Sequence, residues 1–289
     1  MTPIASFLNA KKSLIDSVLA KDLPPVQPGA ETVREAMRYA VFSDGKRLRP
    51  SLLLAIAELL GHDDSDVLPA ASAVEFIHTC SLILDDLPCM DDSDTRRGTP
   101  SLHVAFDQAT AILAAEGLLL HAFTLISDNA RRQELDAEDA LSAVDIAARA
   151  AGYPGMVGGQ YLDLLSKETP PSREQVESIH LMKTASLFTA SARLASVLCR
   201  ASSEEGESLA RYSSGLGLAF QITDDLIDAT DAPQGNAEGE LNYALLFGVD
   251  AARSRAERLV AEALDSLAPF GQRASMLADL VRYVLDRGK

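Results

Sequence analysis

Apolar residues recur at spacings of three and four along nearly the whole chain. Ile4, Phe7, Leu8, Leu14, Ile15, Val18 and Leu19 set the pattern, and that period stacks side chains on one face of an α-helix. Alternating β-branched runs, the mark of a half-buried strand, are absent. The period predicts helices over residues 3–21, 30–43, 47–60, 66–87, 101–128, 136–151, 155–166, 250–268 and 272–287. Two more helix starts come from capping boxes, in which a Ser precedes Gln or Glu by three residues: Ser172 with Gln175, and Ser202 with Glu205. The pair Asp44-Gly45 lacks alternating flanks, so it reads as a helix-to-helix turn. Breaks rich in Pro and Gly at 23–29, 169–171 and 231–239 are short. The expectation is an all-α chain, one domain over residues 1–289, with no solenoid repeat.

Composition narrows the partners. The 289 residues are 47% hydrophobic, enough for a large core. With 42 acidic against 26 basic residues the net charge is −16, the wrong sign for neutralising nucleic-acid phosphates. The cysteines Cys80, Cys89 and Cys199 form no CxxC pair and fit reduced thiols. The N-terminal stretch has no charged start and no unbroken apolar core of a secretion signal. The most apolar window, Ala109 to Ile126, carries Glu116 and His121, which suits a protein interior better than lipid. A cytoplasmic protein that does not span a membrane is expected.

The chemistry-bearing residues are acidic. Asp85, Asp86 and Asp91 fit DDx4D within LILDDLPCMDDSDTRRG, and QITDDLID places Gln221, Asp224, Asp225 and Asp228 within two helical turns. Asp224 and Asp228 share a face by their i, i+4 spacing. A single such run is as readily a solvated helix end as a site; two of them, each ending an apolar segment, shift the weight. A calcium loop fails, because Arg96 and Arg97 stand where its ligand and glycine belong. Mg²⁺ fits, since it prefers carboxylate oxygen, keeps waters and is completed by substrate phosphates. Diphosphate held between carboxylates through Mg²⁺ is the chemistry this implies.

Basic residues lie nearby in sequence: Lys46 and Arg49 in GKRLRP, Arg96 and Arg97 in RRG, and Lys183 before Thr184. Arginine's planar fork matches phosphate oxygens, although Lys46 by itself is an ordinary surface charge. His78 lies seven residues before Asp85, on the same helical face and about 10.5 Å along the axis; alone it could equally be a core histidine.

In this order, GKRLRP, DDLPCMD, RRGTPSLH, GGQYLDL, KT and QITDDLID resemble the trans-isoprenyl diphosphate synthases, or polyprenyl synthetases, and among these the bacterial geranylgeranyl and farnesyl type. The resemblance implies a bundle of long helices around a deep central pocket, usually a homodimer, and head-to-tail prenyl transfer between isopentenyl diphosphate and dimethylallyl, geranyl or farnesyl diphosphate. It implies three Mg²⁺ ions per active site. By motif position Asp85, Asp91 and Asp224 are metal ligands, and Asp86, Asp225 and Asp228 bind metal directly or through water. Lys46, Arg49, His78 and Arg97 grip isopentenyl diphosphate. Arg96 and Lys183 hold the allylic diphosphate, while Thr184 and Gln221 aim oxygen dipoles at the carbocation. A terpene cyclase also uses acidic clusters, but does not need the Lys46, Arg49, His78 and Arg97 set.

In this family the residues four and five before the first aspartate floor the tunnel for the growing tail. Here they are Ser81 and Cys80, small residues that, with the Pro88-Cys89 insertion, resemble the geranylgeranyl type and imply a C20 product, with C15 as the alternative. One departure stands out. The lysines that the family places after the second aspartate motif are missing from ATDAPQGNAEGELNYALLFG, and Glu240 occupies one of their positions. That loss leaves a non-catalytic partner subunit as a further alternative.

Overall fold

The computed structural model describes residues 2–169, 171–231 and 241–287. These are helical almost throughout: α1 (Pro3–Asp22), α2 (Glu31–Val41), α3 (Leu48–Leu59), α4 (Leu68–Asp85), α5 (Leu102–Ala105), α6 (Gln108–Arg132), α7 (Ala137–Ala151), α8 (Met156–Ser166), α9 (Arg173–His180), α10 (Ser186–Leu198), α11 (Ser203–Asp231), α12 (Tyr243–Phe247), α13 (Val249–Ser266) and α14 (Ser275–Asp286). A π-helical turn, Leu181–Ala185, joins α9 to α10. Both capping boxes form: Ser172 Oγ accepts from Gln175 N at 3.3 Å and Ser202 Oγ from Glu205 N at 3.3 Å, with each partner side chain reaching back to the Ser amide.

Two details differ from the expected pattern. The helix expected over 101–128 is broken: Asp107 sits in extended backbone as an N-cap, its carboxylate accepting from Thr110 N at 2.8 Å and Thr110 Oγ1 at 2.7 Å, so α6 starts afresh at Gln108. A two-stranded antiparallel ribbon, β1 (Thr95–Arg96) with β2 (Thr99–Pro100), also forms where no strand is expected. Two-residue strands are too short to show alternation.

Contacts divide the chain into two compact units, Met1–Glu58 with His62–Val144, and Leu59–Gly61 with Asp145–Lys289. In the first, α4 packs against α6, α1 and α2, and Ala70, Ala73, Val74 and Phe76 are fully buried. Its apolar residues surround the helix, as expected of a core element. Buried within this unit is an ionic junction. Arg47, only 4% exposed, donates to Glu75 Oε1 at 2.6 Å, Asp16 Oδ1 at 2.8 Å and the Val41 carbonyl at 2.6 Å. These contacts hold Arg47 in left-handed backbone, φ 51°, a conformation that costs energy outside glycine and persists only when surroundings over-determine it. Helix α6 is long and apolar enough to cross a membrane by length and composition; 39% of its most apolar window is buried in the protein.

In the second unit α11 is the axis, packed by α10, α12, α13, α14 and the π turn. Two glycines let backbones meet at that turn. A Cβ on Gly159 of α8 would fall 2.8 Å from Lys183 Cα, and one on Gly217 of α11 would fall 2.7 Å from Ala185 Cα. Any larger residue at either position would push the turn away.

Candidate active site

In the first unit, the end of α4 and the residues after it carry the first acidic cluster. Asp85 is the last residue of α4 and Asp86 caps it. The chain then curls back, with Asp91 N donating to the Asp85 carbonyl at 3.0 Å and Ser93 N to the Asp86 carbonyl at 3.2 Å. Arg96 reaches from β1 to Asp86, donating through Nε at 2.9 Å and through Nη2, and its Nη2 lies 3.8 Å from Asp85 Oδ2. Asp86 is 3% exposed, whereas Asp85 is half-buried and Asp91 exposed.

The predicted basic residues of this unit converge. Arg49 Nη1 lies 3.3 Å from His78 Nε2. Burial and then the charges of Arg49, Arg97, Arg47 and Arg96 push the His78 pKa well below its ordinary value, so the ring is neutral at pH 7. Arg97 and Arg47 each send a guanidinium nitrogen to within 2.8 Å of where a side chain on Gly45 would begin. Burial, followed by Arg47 and Arg96 working against an opposing pull from Glu75, lowers the Arg97 pKa. Lys46 is exposed. A small cleft opens beside this group, lined by Tyr39, Thr79, Asp86, Arg96 and Arg97 among others.

Further along α4, Cys80 is 4% exposed and its thiol is pushed up to about 12, chiefly by burial and then by Glu116. Ser81 turns its hydroxyl onto the His78 carbonyl at 2.8 Å. Both positions therefore present little bulk and no charge.

In the second unit a chain of hydrogen bonds links the predicted residues. Thr184 Oγ1 donates to Gln221 Oε1 at 2.8 Å, and Gln221 Nε2 donates to Asp225 Oδ1 at 2.9 Å. Asp225 Oδ2 accepts from Tyr243 N at 2.7 Å, and the Asp225 carbonyl accepts from Asn242 Nδ2 at 2.9 Å. Asp225 is 3% exposed. Burial raises its pKa to about 7, with Asp228 and Asp224 adding to the rise against the hydrogen bonds of Tyr243 and Gln221. His180 Nε2 lies 3.6 Å from Asp225 Oδ2, and burial, then Lys183, lowers its pKa to about 4. Asp224 is half-buried and Asp228 exposed. Lys183 donates to Asp163 Oδ2 at 2.6 Å.

Asp163, Arg47 and Arg287 are the functional-site neighbours that sequence reasoning passes over. Asp163 lies inside the quoted GGQYLDL, Arg47 inside GKRLRP, and each carried a signal only as part of its motif. Arg287 Nη2 donates to Asp224 Oδ1 at 2.8 Å, a contact with no local sequence signature. The missing-lysine segment, with Glu240, lies outside the described residues.

No group of three His, Cys, Asp or Glu side chains forms a metal cage among the described residues. The donors nonetheless suit Mg²⁺: carboxylate oxygens, partly solvent-facing at Asp85, Asp91, Asp224 and Asp228, where an ion that keeps waters and takes phosphate oxygens needs only one or two protein ligands at a time.

Comparison with known proteins gives a consistent result. The family model for polyprenyl synthetase matches residues 30–240. Geranylgeranyl pyrophosphate synthase 11, chloroplastic, of Arabidopsis thaliana is 38% identical over 297 residues, covering 98% of this chain and 82% of its own. The large subunit 1 of a heterodimeric geranylgeranyl pyrophosphate synthase from the same plant is 37% identical over 294 residues, covering 98% and 79%. The apo crystal structure of an FPP/GFPP synthase from Zymomonas mobilis superposes with a TM-score of 0.87 at 37% identity, covering 98% of both chains.

Proposed function

Since the chain belongs to the polyprenyl synthetase family, we propose that it is a short-chain trans-prenyltransferase that extends allylic diphosphates with isopentenyl diphosphate and releases geranylgeranyl diphosphate, C20. The observation that carries this reading is the gathering of Arg49, Arg97 and Arg96 around neutral His78, with Arg96 also reaching the Asp85–Asp86 carboxylates. Cations set next to carboxylates suit a substrate whose anion is bound on one side by side chains and on the other through metal.

In this reaction the allylic C–O bond breaks and pyrophosphate leaves. The double bond of isopentenyl diphosphate attacks the carbocation, and a proton is lost to regenerate an alkene. Bound Mg²⁺ supplies charge neutralisation of the leaving pyrophosphate. Asp85, Asp91, Asp224 and Asp228 would hold it, three ions in all. Arg49, His78, Arg97 and Lys46 orient isopentenyl diphosphate, and Arg96 and Lys183 bind the allylic diphosphate. Thr184 and Gln221 present oxygens to the carbocation, their orientation fixed by the bond between them. His78, kept neutral, brings a hydrogen-bonding ring to the anion site without a mobile charge.

Cys80 and Ser81 offer a small floor, which supports C20 over the alternative of C15. Incubation with Mg²⁺, isopentenyl diphosphate and each allylic primer, followed by chain-length analysis, tests the reading: C20 is expected, and absence of any elongation would refute it. Cys80→Phe should shorten the product to C15 or C10; unchanged C20 would remove Cys80 from the floor.

Exposed apolar residues on α6, Ile112, Leu113 and Leu120 at 40%, 53% and 67%, support a homodimer. The heterodimer subunit among the relatives supports a second reading, in which the chain is active only with a partner synthase; activity that appears solely on mixing would select it. Three free thiols support a reducing compartment such as the cytoplasm.

A further inference from the structure

The apolar stripe that docks α14 ends in a charge. Leu277, Leu280, Val281 and Val284 are buried at spacings of three and four, and Arg287, three residues further on, falls on the same face. One end of α14 is fixed to α11 by the buried Tyr212, whose hydroxyl donates to the Leu277 carbonyl at 2.7 Å. From Leu277 to Arg287 α14 advances about 15 Å, and from Tyr212 to Asp224 α11 advances about 18 Å. The two helices therefore run side by side in the same direction, and the far end of the stripe meets the second acidic cluster. There Arg287 Nη2 donates to Asp224 Oδ1 at 2.8 Å, and its guanidinium lies 4.9 Å from the centre of the Phe220 ring, one turn back on α11.

This pair is built differently from Arg96 and Asp86. Arg96 gives Asp86 both Nε and Nη2, and Asp86 is 3% exposed. Arg287 gives Asp224 one N–H, with side chains 16% and 30% exposed, and its Nη1 is buried with no partner among the described residues. A buried donor left unbonded raises the energy of the arrangement that buries it, and a part-exposed ion pair holds weakly. Opening the pair therefore costs little. The Phe220 face still stabilises the guanidinium once the carboxylate is withdrawn. A divalent ion at Asp224, by contrast, brings like charge against the guanidinium, so the two cations compete for one carboxylate.

We propose that Arg287 is a competing cation for Asp224: in metal-free protein it holds a carboxylate oxygen that Mg²⁺ must win, and metal binding releases the end of α14. The inference rests on the reading of Asp224 as a Mg²⁺ ligand, and it assigns an autoinhibitory contact to a residue outside every motif of the sequence.

The test uses the full chain without substrate. The Mg²⁺ concentration that half-saturates the rise in thermal midpoint is measured in wild type, Arg287→Gln, Asp224→Asn and the double variant. Arg287→Gln should lower that concentration about two- to fivefold, the scale of one part-exposed ion pair, and should change nothing in the Asp224→Asn background. Arg287→Lys, which keeps the charge, should stay near wild type. Hydrogen exchange read by mass spectrometry should show residues 281–287 exchanging faster when Mg²⁺ is added to wild type, and exchanging fast without it in Arg287→Gln. A raised Mg²⁺ requirement in Arg287→Gln would overturn the proposal by making Arg287 a support of the metal site, and an unchanged one would overturn it by showing no competition. An equal effect in the Asp224→Asn background would overturn it too, placing the influence of Arg287 elsewhere. If neither wild type nor Arg287→Gln responds to Mg²⁺ at all, the metal reading of Asp224 falls together with the proposal.

Discussion

The two acidic clusters are built from the same residue pair and treat its members differently. In each, the first aspartate is half-buried at Asp85 and Asp224, while the second, Asp86 or Asp225, is 3% exposed and committed to the protein. Asp86 binds Arg96, ten residues on, and its carbonyl takes Ser93 N. Asp225 binds Tyr243 N, eighteen residues on, and its carbonyl takes Asn242. The second aspartate therefore pins the chain segment that follows its cluster, and the first is left with the more accessible oxygens. The clusters differ in what does the pinning. A charged guanidinium neutralises Asp86. Among the described residues Asp225 has only neutral donors, so burial, with Asp228 and Asp224 adding to it, raises its pKa to about 7.

The largest effect should come from breaking the accessible members. Asp85→Asn or Asp224→Asn should lower kcat/KM on the order of 10²–10³-fold, the scale of losing one electrostatic contact to developing charge. Urea midpoints should stay close to wild type, because a partly exposed pair such as Asp224–Arg287 contributes little. Next come the pinning members. Asp86→Asn leaves the Arg96 guanidinium without its carboxylate and should cost about 1–3 kcal/mol in a urea melt, with a smaller activity loss than Asp85→Asn. If activity instead falls further than stability explains, the division of roles is wrong for that cluster.

The smallest effect sharpens the contrast between the two pins. In metal-free protein the folded Asp225 keeps its proton up to about pH 7, whereas the unfolded chain ionises near 3.8. Between those values the folded state binds more protons, so this group makes stability fall as pH rises, and the loss is complete above pH 7. His180, with its folded pKa lowered to about 4, works in the opposite sense, losing stability as pH falls from 6.5. Asp225→Asn should remove the fall in stability between pH 3.8 and about 7 that Asp225 contributes; identical pH profiles would contradict the raised pKa.

How much of this was legible beforehand follows from where the partners lie. Helix starts at Ser172 and Ser202 were legible because their caps are three residues away. The Asp107 break was not, since apolar residues continue on both sides of it and only the Thr110 bonds show the cap. Motif order placed all the site aspartates, yet the different duties of Asp85 and Asp86 depend on Arg96 folding back, which adjacent identical residues cannot announce. Arg47 likewise looks like its basic neighbours Lys46 and Arg49, but is consumed by Glu75 and Asp16 in the core. Burial, a property of the fold, sets Arg47 apart from the other two cations.

The most direct test of this division is the Mg²⁺ concentration that gives half-maximal prenyl transfer in Asp85→Asn, Asp86→Asn, Asp224→Asn and Asp225→Asn. The account predicts a raised Mg²⁺ requirement for Asp85→Asn and Asp224→Asn and a wild-type requirement for the other two. A folded Asp86→Asn or Asp225→Asn protein needing as much Mg²⁺ as its neighbour's variant would contradict it.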